Sequence, residues 1–226
     1  MIKAKINKKE YSIKTEWNDL SFGEWYDIIK AKDDIERVSL LTGIESEVIM
    51  RLDETSQKQL SFCLEFLNDI PTSELEVKDI RAESFGQKIL LQQQLSNEDK
   101  ELLPAKALVC YEYDFNNFNN SLNYVLKLPF IFVYSKGVKY LEQIQSVLEL
   151  EAEHLSSKPT SEQQRAGLDM FDEFGIMNTV NALANGDILK YDEVMKIDYN
   201  TVFIKLKMSK FERIFNENYS KIMAKK

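Results

Sequence analysis

The stretch NALANGDILKYDEVMKID, residues 181–198, gathers four carboxylates, Asp187, Asp192, Glu193 and Asp198, around one glycine. Such a cluster could hold calcium or work as general acid and base, since both chemistries need several carboxylate oxygens at one point. An EF-hand loop needs oxygen ligands at its first, third, fifth and twelfth positions and glycine at the sixth. Counting from Asp187, the third position is Leu189, the fifth is Tyr191, the sixth is Asp192, and the twelfth is Asp198 where glutamate belongs. The calcium pattern fails. Helix capping accounts for the same residues: Asn185-Gly186 suits the left-handed end of one helix, Asp187 can cap a short turn, and Asp198 can cap the helix that follows.

Other candidate sets are thinner. Residues 151–154, EAEH, give Glu151 and His154 the Glu-x-x-His spacing of di-iron bundles, which need two such motifs. The chain has one histidine in all, so a di-iron centre is excluded. Any Ser-His-Asp or Cys-His arrangement would also depend on His154, and there is no G-x-S-x-G elbow, phosphate loop or G-x-G-x-x-G. Asp172 and Glu173 are adjacent, so on a helix they point about 100° apart and do not converge. Cys63 and Cys110 sit among apolar residues outside any C-x-x-C pair, as expected of buried thiols in a reducing cytoplasm. No catalytic, cofactor-binding or metal-ligating residue is assigned. A metal-dependent enzyme using Asp187, Asp192 and Asp198 is kept as an alternative, as is a nucleic-acid-binding module using the chain ends.

The elements that would position these residues are mostly helical. The chain has 226 residues, 44% of them hydrophobic and 29% charged, with only 7 glycines and 4 prolines. This composition favours long helices over a turn-rich β fold. Residues 1–15 carry +4 and residues 205–226 carry +5; removing both from the net −8 leaves −17 between them. An acidic body disfavours a broad nucleic-acid surface, while the basic ends could dock on an acidic neighbour, including another copy of the chain. No apolar run reaches the roughly 18 residues of a membrane span, and no signal peptide opens the sequence.

Alternation in IKAKI and EYSIK predicts a short hairpin turning at Asn7-Lys8-Lys9. Ser21 and Glu24 predict a capping box for a first helix, with Trp25, Ile28 and Ile29 on its buried face. A second helix starts near Asp33 or Asp34 and stops at Gly43, and a third carries Leu60, Cys63, Leu64 and Leu67. Residues 74–80, ELEVKDI, read as an edge strand. The motif SFG[EQ] recurs at Ser84 and is read as one capping solution used twice, not as a duplication. Pro104 starts or kinks a helix, and Gly137 is a weak point or a close-packing site. Ser161 and Gln164 form another box, opening a helix with Leu168, Phe171, Ile176, Val180 and Leu183 on one side. The last helix is expected to bury Val202, Phe203, Leu206, Phe211, Ile214, Phe215 and Ile222. The expected fold is mainly α, a multi-helix globular unit with a small N-terminal β-hairpin. Its domains are 1–154, hairpin plus helices, and 161–226, a helical segment packed on it, with a linker at 155–160; one continuous domain is the alternative.

Several segments together carry a resemblance: INKKEYSIKTEWNDLSFGEWYDI through LLTGI (6–44), ELLPAKALVCYEY (101–113), VLKLPFIFVYSKGVKYL (125–141) and VNALANGDILKYDEVMKIDYNTVFIKLKMSKFE (180–212). The arrangement resembles small proteins of the tail or neck gene clusters of tailed bacteriophages, of the Bacteroidetes-phage type. The resemblance implies a non-enzymatic virion-associated structural or cargo protein of the tail or neck region, or else a tail assembly chaperone that leaves before the particle matures. It implies partners among other phage structural proteins of tail, neck or tape-measure type, or copies of the chain itself. The implied location is the virion, or the host cytoplasm during assembly, with no cofactor.

Overall fold

The structure is a computed structural model and describes residues 2–6, 9–96, 99–157 and 159–224. Strands β1 (Ile2–Ile6) and β2 (Lys9–Ile13) pair antiparallel, with Ile2 opposite Ile13. Twelve α-helices follow among the described residues. They are α1 (Phe22–Lys30), α2 (Asp34–Thr42), α3 (Ser46–Met50), α4 (Glu54–Ser61), α5 (Phe85–Leu95) and α6 (Leu103–Glu112). Then come α7 (Phe118–Val125), α8 (Phe130–His154), α9 (Ser161–Arg165), α10 (Met177–Leu183), α11 (Tyr191–Lys196) and α12 (Tyr199–Met223). The fold is thus mainly helical with a small N-terminal hairpin. Two residues of its expected turn, Asn7 and Lys8, lie outside the described residues.

The chain divides into two compact units, each made of two separate stretches. Residues 1–77 and 98–140 form the first; residues 78–97 and 141–226 form the second. Residues 155–160 lie inside the second.

The first unit is built on an aromatic cluster. Phe130, at the start of α8, stacks on Trp17 at 4.5 Å and meets Trp25 at 4.9 Å and Phe22 at 5.8 Å. Trp17 satisfies its indole N–H on the carbonyl of Asp69 at 2.8 Å, as a buried indole must. Helix α6 begins beside Pro104, which sits in the first turn where its missing N–H costs nothing. Gly137 is a close-packing site: a Cβ there would lie 2.2 Å from the Pro104 carbonyl oxygen. Residues 74–80 form no strand. Their backbone is instead held by side chains of α8. In the first unit, Lys139 donates to the Leu75 carbonyl and Ser135 accepts from the Ser73 amide. In the second, Gln143 accepts from the Ile80 amide and donates to the Lys78 carbonyl.

Two expected helices are broken. The third continues past Ser61 as a 3-10 segment, Phe62–Asn68, with Cys63 buried. The helix expected after residue 161 is interrupted at Gly167 and Gly175, both at positive φ (85° and 48°), where the chain leaves the right-handed helical region. A 3-10 segment, Leu168–Phe174, lies between them, and Leu168 and Phe171 are exposed rather than buried. The capping box of α9 uses Thr160 and Gln163, one residue earlier than expected.

Candidate functional site

The carboxylates of residues 187–198 are spread along three turns, and two of them, Asp187 and Asp198, bond the backbone of the turn they open. Asp187 accepts from the Leu189 amide at 3.1 Å and pairs with Lys190 at 3.4 Å, capping the 3-10 turn Ile188–Lys190. Asp192 and Glu193 sit in the first turn of α11, where the helix dipole favours negative charge. Asp198 caps α12 by accepting from the Thr201 amide at 2.8 Å. The hydroxyl and amide of Thr201 hold its carboxyl below the ordinary range. The recess beside Asp198 is lined by Asp79, Arg81 and Asn200. There Arg81 already grips Asp79 with two bonds of 3.0 and 2.9 Å. Asn185 and Gly186 both take positive φ at the end of α10, as read from the sequence. Among the described residues, no group of three His, Cys, Asp or Glu side chains is placed to share a metal ion.

The other candidates also part company. His154 lies 3.9 Å from Glu153, and its ring meets Phe203 edge-on at 6.1 Å. Glu151 turns to Lys88 instead. Asp172 and Glu173 fall in the 3-10 segment between exposed Phe171 and Phe174. Cys63 and Cys110 are buried thiols outside any disulfide, and burial pushes them up to about 11 and about 12.

What the structure does assemble is one junction made twice. At Ser21, the hydroxyl accepts from the Glu24 amide and the Glu24 carboxylate accepts from the Ser21 amide, closing the box. At Ser84, Gln87 does the same. The likeness extends well past these four residues. The Phe22 amide donates to the Leu128 carbonyl and the Phe130 amide to the Leu20 carbonyl; in the second unit Phe85 donates to Ile197 and Tyr199 to Glu83. Gly23 and Gly86 each let a carbonyl approach, that of Leu126 and Met195, to 3.0 Å of where a Cβ would stand. Before each junction an aspartate caps a 3-10 turn, Asp114 in one and Asp187 in the other. After each runs a helix of 25 residues, α8 and α12. The segments that meet these boxes, YVLKLPF (124–130) and EVMKIDY (193–199), match in pattern. The reading of SFG[EQ] as a cap alone therefore understated it.

The junctions differ at their centre. Trp25 occupies in the first the place that Lys88 takes in the second. Lys88 is 1% exposed. Its ammonium donates to both oxygens of Glu151 at 2.8 and 2.9 Å and to Gln92 at 2.8 Å, and stands 5.7 Å from the Tyr199 ring centre. Burial, then the Glu151 carboxylate, push the Tyr199 phenol upward. Burying a lysine head group is costly unless its donors are met, and three acceptor contacts meet them. Sequence alone hides this set, because its members lie on three distant segments; the one available sign is Lys88 at a position whose counterpart is tryptophan.

Two apolar surfaces remain open in the second unit. One runs through Met170, Phe171 and Phe174. The other lies on α12, where Phe211, Ile214, Phe215 and Ile222 are exposed rather than buried as expected. The last two residues of the basic C-terminal run, Lys225 and Lys226, lie outside the described residues. Among those described, no helix is long and apolar enough to cross a membrane.

Comparison with known proteins finds no family model, no curated protein and no solved structure that matches the chain.

Proposed function

We propose that this chain is a non-enzymatic, virion-associated protein of the tail or neck region of a tailed bacteriophage, working through protein–protein contact. The phage setting comes from the resemblance of the segments at 6–44, 101–113, 125–141 and 180–212. The contact role is supported by one observation above all: large apolar side chains stand open in rows, on α12 and around Phe171. Contiguous exposed apolar surface of this kind marks interaction sites. The non-enzymatic reading is supported by Asp187 and Asp198, whose hydrogen bonds go to the turns they cap.

Mass spectrometry of purified particles from an infected culture tests the setting. The chain is expected among the virion proteins in constant ratio to a tail or neck subunit. Presence in infected-cell lysate with absence from particles would replace this reading with that of a tail assembly chaperone. A stoichiometric metal in the purified chain, lost on Asp187→Ala or Asp198→Ala, would overturn the non-enzymatic part.

A further inference from the structure

We propose that the outward side of α12 is a self-association surface, on which two copies of this chain pair through their α12 helices running in the same direction. The inference shares with the proposed function only the premise that open apolar faces are contact surfaces. It stands or falls independently of any particle.

Helix α12 has two sides. Tyr199, Val202 and Phe203 are buried, and Lys210 donates to the carbonyls of His154 and Ser156 at 2.8 and 2.9 Å. At about 100° per residue, Ile204, Met208, Phe211, Phe215, Tyr219 and Ile222 fall on the opposite side. Each of the six is at least half exposed. From Phe211 to Ala224 every residue is exposed, so among the described residues nothing covers these turns. A solitary helix of this length is marginal in water, and its apolar stripe gives it a reason to find a partner.

The spacing specifies the kind of partner. Ile204, Met208, Phe211 and Phe215 follow at intervals of four, three and four residues, and the next steps of three and four reach Asn218 and Ile222. This is the repeat of a two-helix seam. Asn218 is the one polar member. An apolar groove of another protein would leave its amide unmet, whereas the Asn218 of a second copy in register both donates and accepts. The flanking charges agree. Lys207 and Glu212 lie five residues apart on opposite margins of the seam, the offset at which one helix's margin faces the other's in a same-direction pair. The two-fold symmetry forms that pair twice.

The area is sufficient. An aromatic side chain carries about 150–250 Å², so six half-open large side chains leave on the order of 600 Å² per chain. Two such faces closing on each other reach about 1,200 Å², the lower edge of specific interfaces. A lipid surface is the less suited occupant, because Glu212 and Glu217 interrupt the basic residues that a headgroup-binding helix displays.

Sedimentation of the full chain over a concentration series is the test. A reversible dimer is expected, with Phe215→Asp raising the dissociation constant about 30-fold or more, as loss of a central aromatic contact does. Glu212→Lys is expected to weaken it and the double variant Lys207→Glu/Glu212→Lys to restore it. Restoration cannot come from a folding defect, and circular dichroism of each variant checks the fold. Asn218→Cys is expected to form a disulfide-linked dimer under mild oxidation, Cys63 and Cys110 being buried. A chain that stays monomeric throughout overturns the proposal, as does failure of the charge exchange to restore pairing. So does a monomer that binds phosphatidylglycerol vesicles in a manner abolished by Phe215→Asp. A monomer that is nonetheless found in particles would leave the proposed function intact and sink only this inference.

Discussion

At the scale of single residues, Lys88 carries the sharpest expectation. Replacing it by alanine leaves Glu151 without its cation in a partly buried place, and removing one partner of a buried pair is the costly case. Lys88→Ala is expected to lower unfolding free energy by about 2–3 kcal/mol, read from urea denaturation. Lys88→Met with Glu151→Leu should recover most of that, since an apolar pair removes both charges together. The acidic end of the pH range is set elsewhere. Arg81 holds the Asp79 carboxyl below its ordinary value of 3.8, and Thr201 does the same for Asp198. A carboxyl held low in the folded chain favours folding above that ordinary value, and the advantage disappears as pH falls through the folded one. Melting temperature is therefore expected to drop as pH is lowered through 4 and below, less steeply in Asp79→Asn. At alkaline pH the thiols matter. Pushed up to about 11 and about 12, Cys63 and Cys110 stay protonated and resist alkylation at pH 8 until the chain unfolds. Both cysteines and the capping role of Asp198 were legible in the sequence, because each depends on a few neighbours along the chain. The Lys88 set was not, because Gln92, Glu151 and Tyr199 become its neighbours only after folding.

At the scale of elements, capping was readable and partnership was not. Ser21 with Glu24 announced α1, and the same letters at Ser84 announced α5. Ser84→Ala is expected to cost about 1 kcal/mol, measured by thermal denaturation. The stripe on α12 was equally visible, but periodicity locates a face without saying whether the chain supplies anything to cover it. Phe211, Phe215 and Ile222 were assigned inward for that reason. ELEVKDI failed differently: its alternation fits a strand, yet its backbone found the side chains of α8 before any strand edge. Gly137 shows how close two elements can come. With a Cβ 2.2 Å from the Pro104 carbonyl oxygen, Gly137→Ala must push α6 and α8 apart, at about 3 kcal/mol. Gly86→Ala meets its carbonyl at 3.0 Å and should be distinctly milder in the same denaturation series.

At the scale of the molecule, the fold class followed from composition and helix period, while the path of the chain did not. Each compact unit is closed by a stretch far along the sequence, and nothing local records such pairings. A fragment ending at residue 154 keeps Phe85, Ile89 and Leu91 but loses the helices α11 and α12 that pack on α5. It is expected to aggregate and to bind more hydrophobic dye than the full chain, because it adds the uncovered face of α5 to its exposed apolar surface.

The order of the two junctions has a consequence for synthesis. Both capped helices, at Ser21 and at Ser84, leave the ribosome before either of the segments that seat on them, at Pro129 and Asp198. At about 5–20 residues per second, each waits several seconds or more with its receptor uncovered. When the segment around Phe130 emerges, two receptors of nearly the same shape compete for it. An indole at one and an ammonium at the other distinguish them, for Phe130 finds an aromatic wall at Trp25 and a bare charge at Lys88. The odd residue in a repeated motif is thus also an address label, steering a growing polypeptide away from threading itself wrongly.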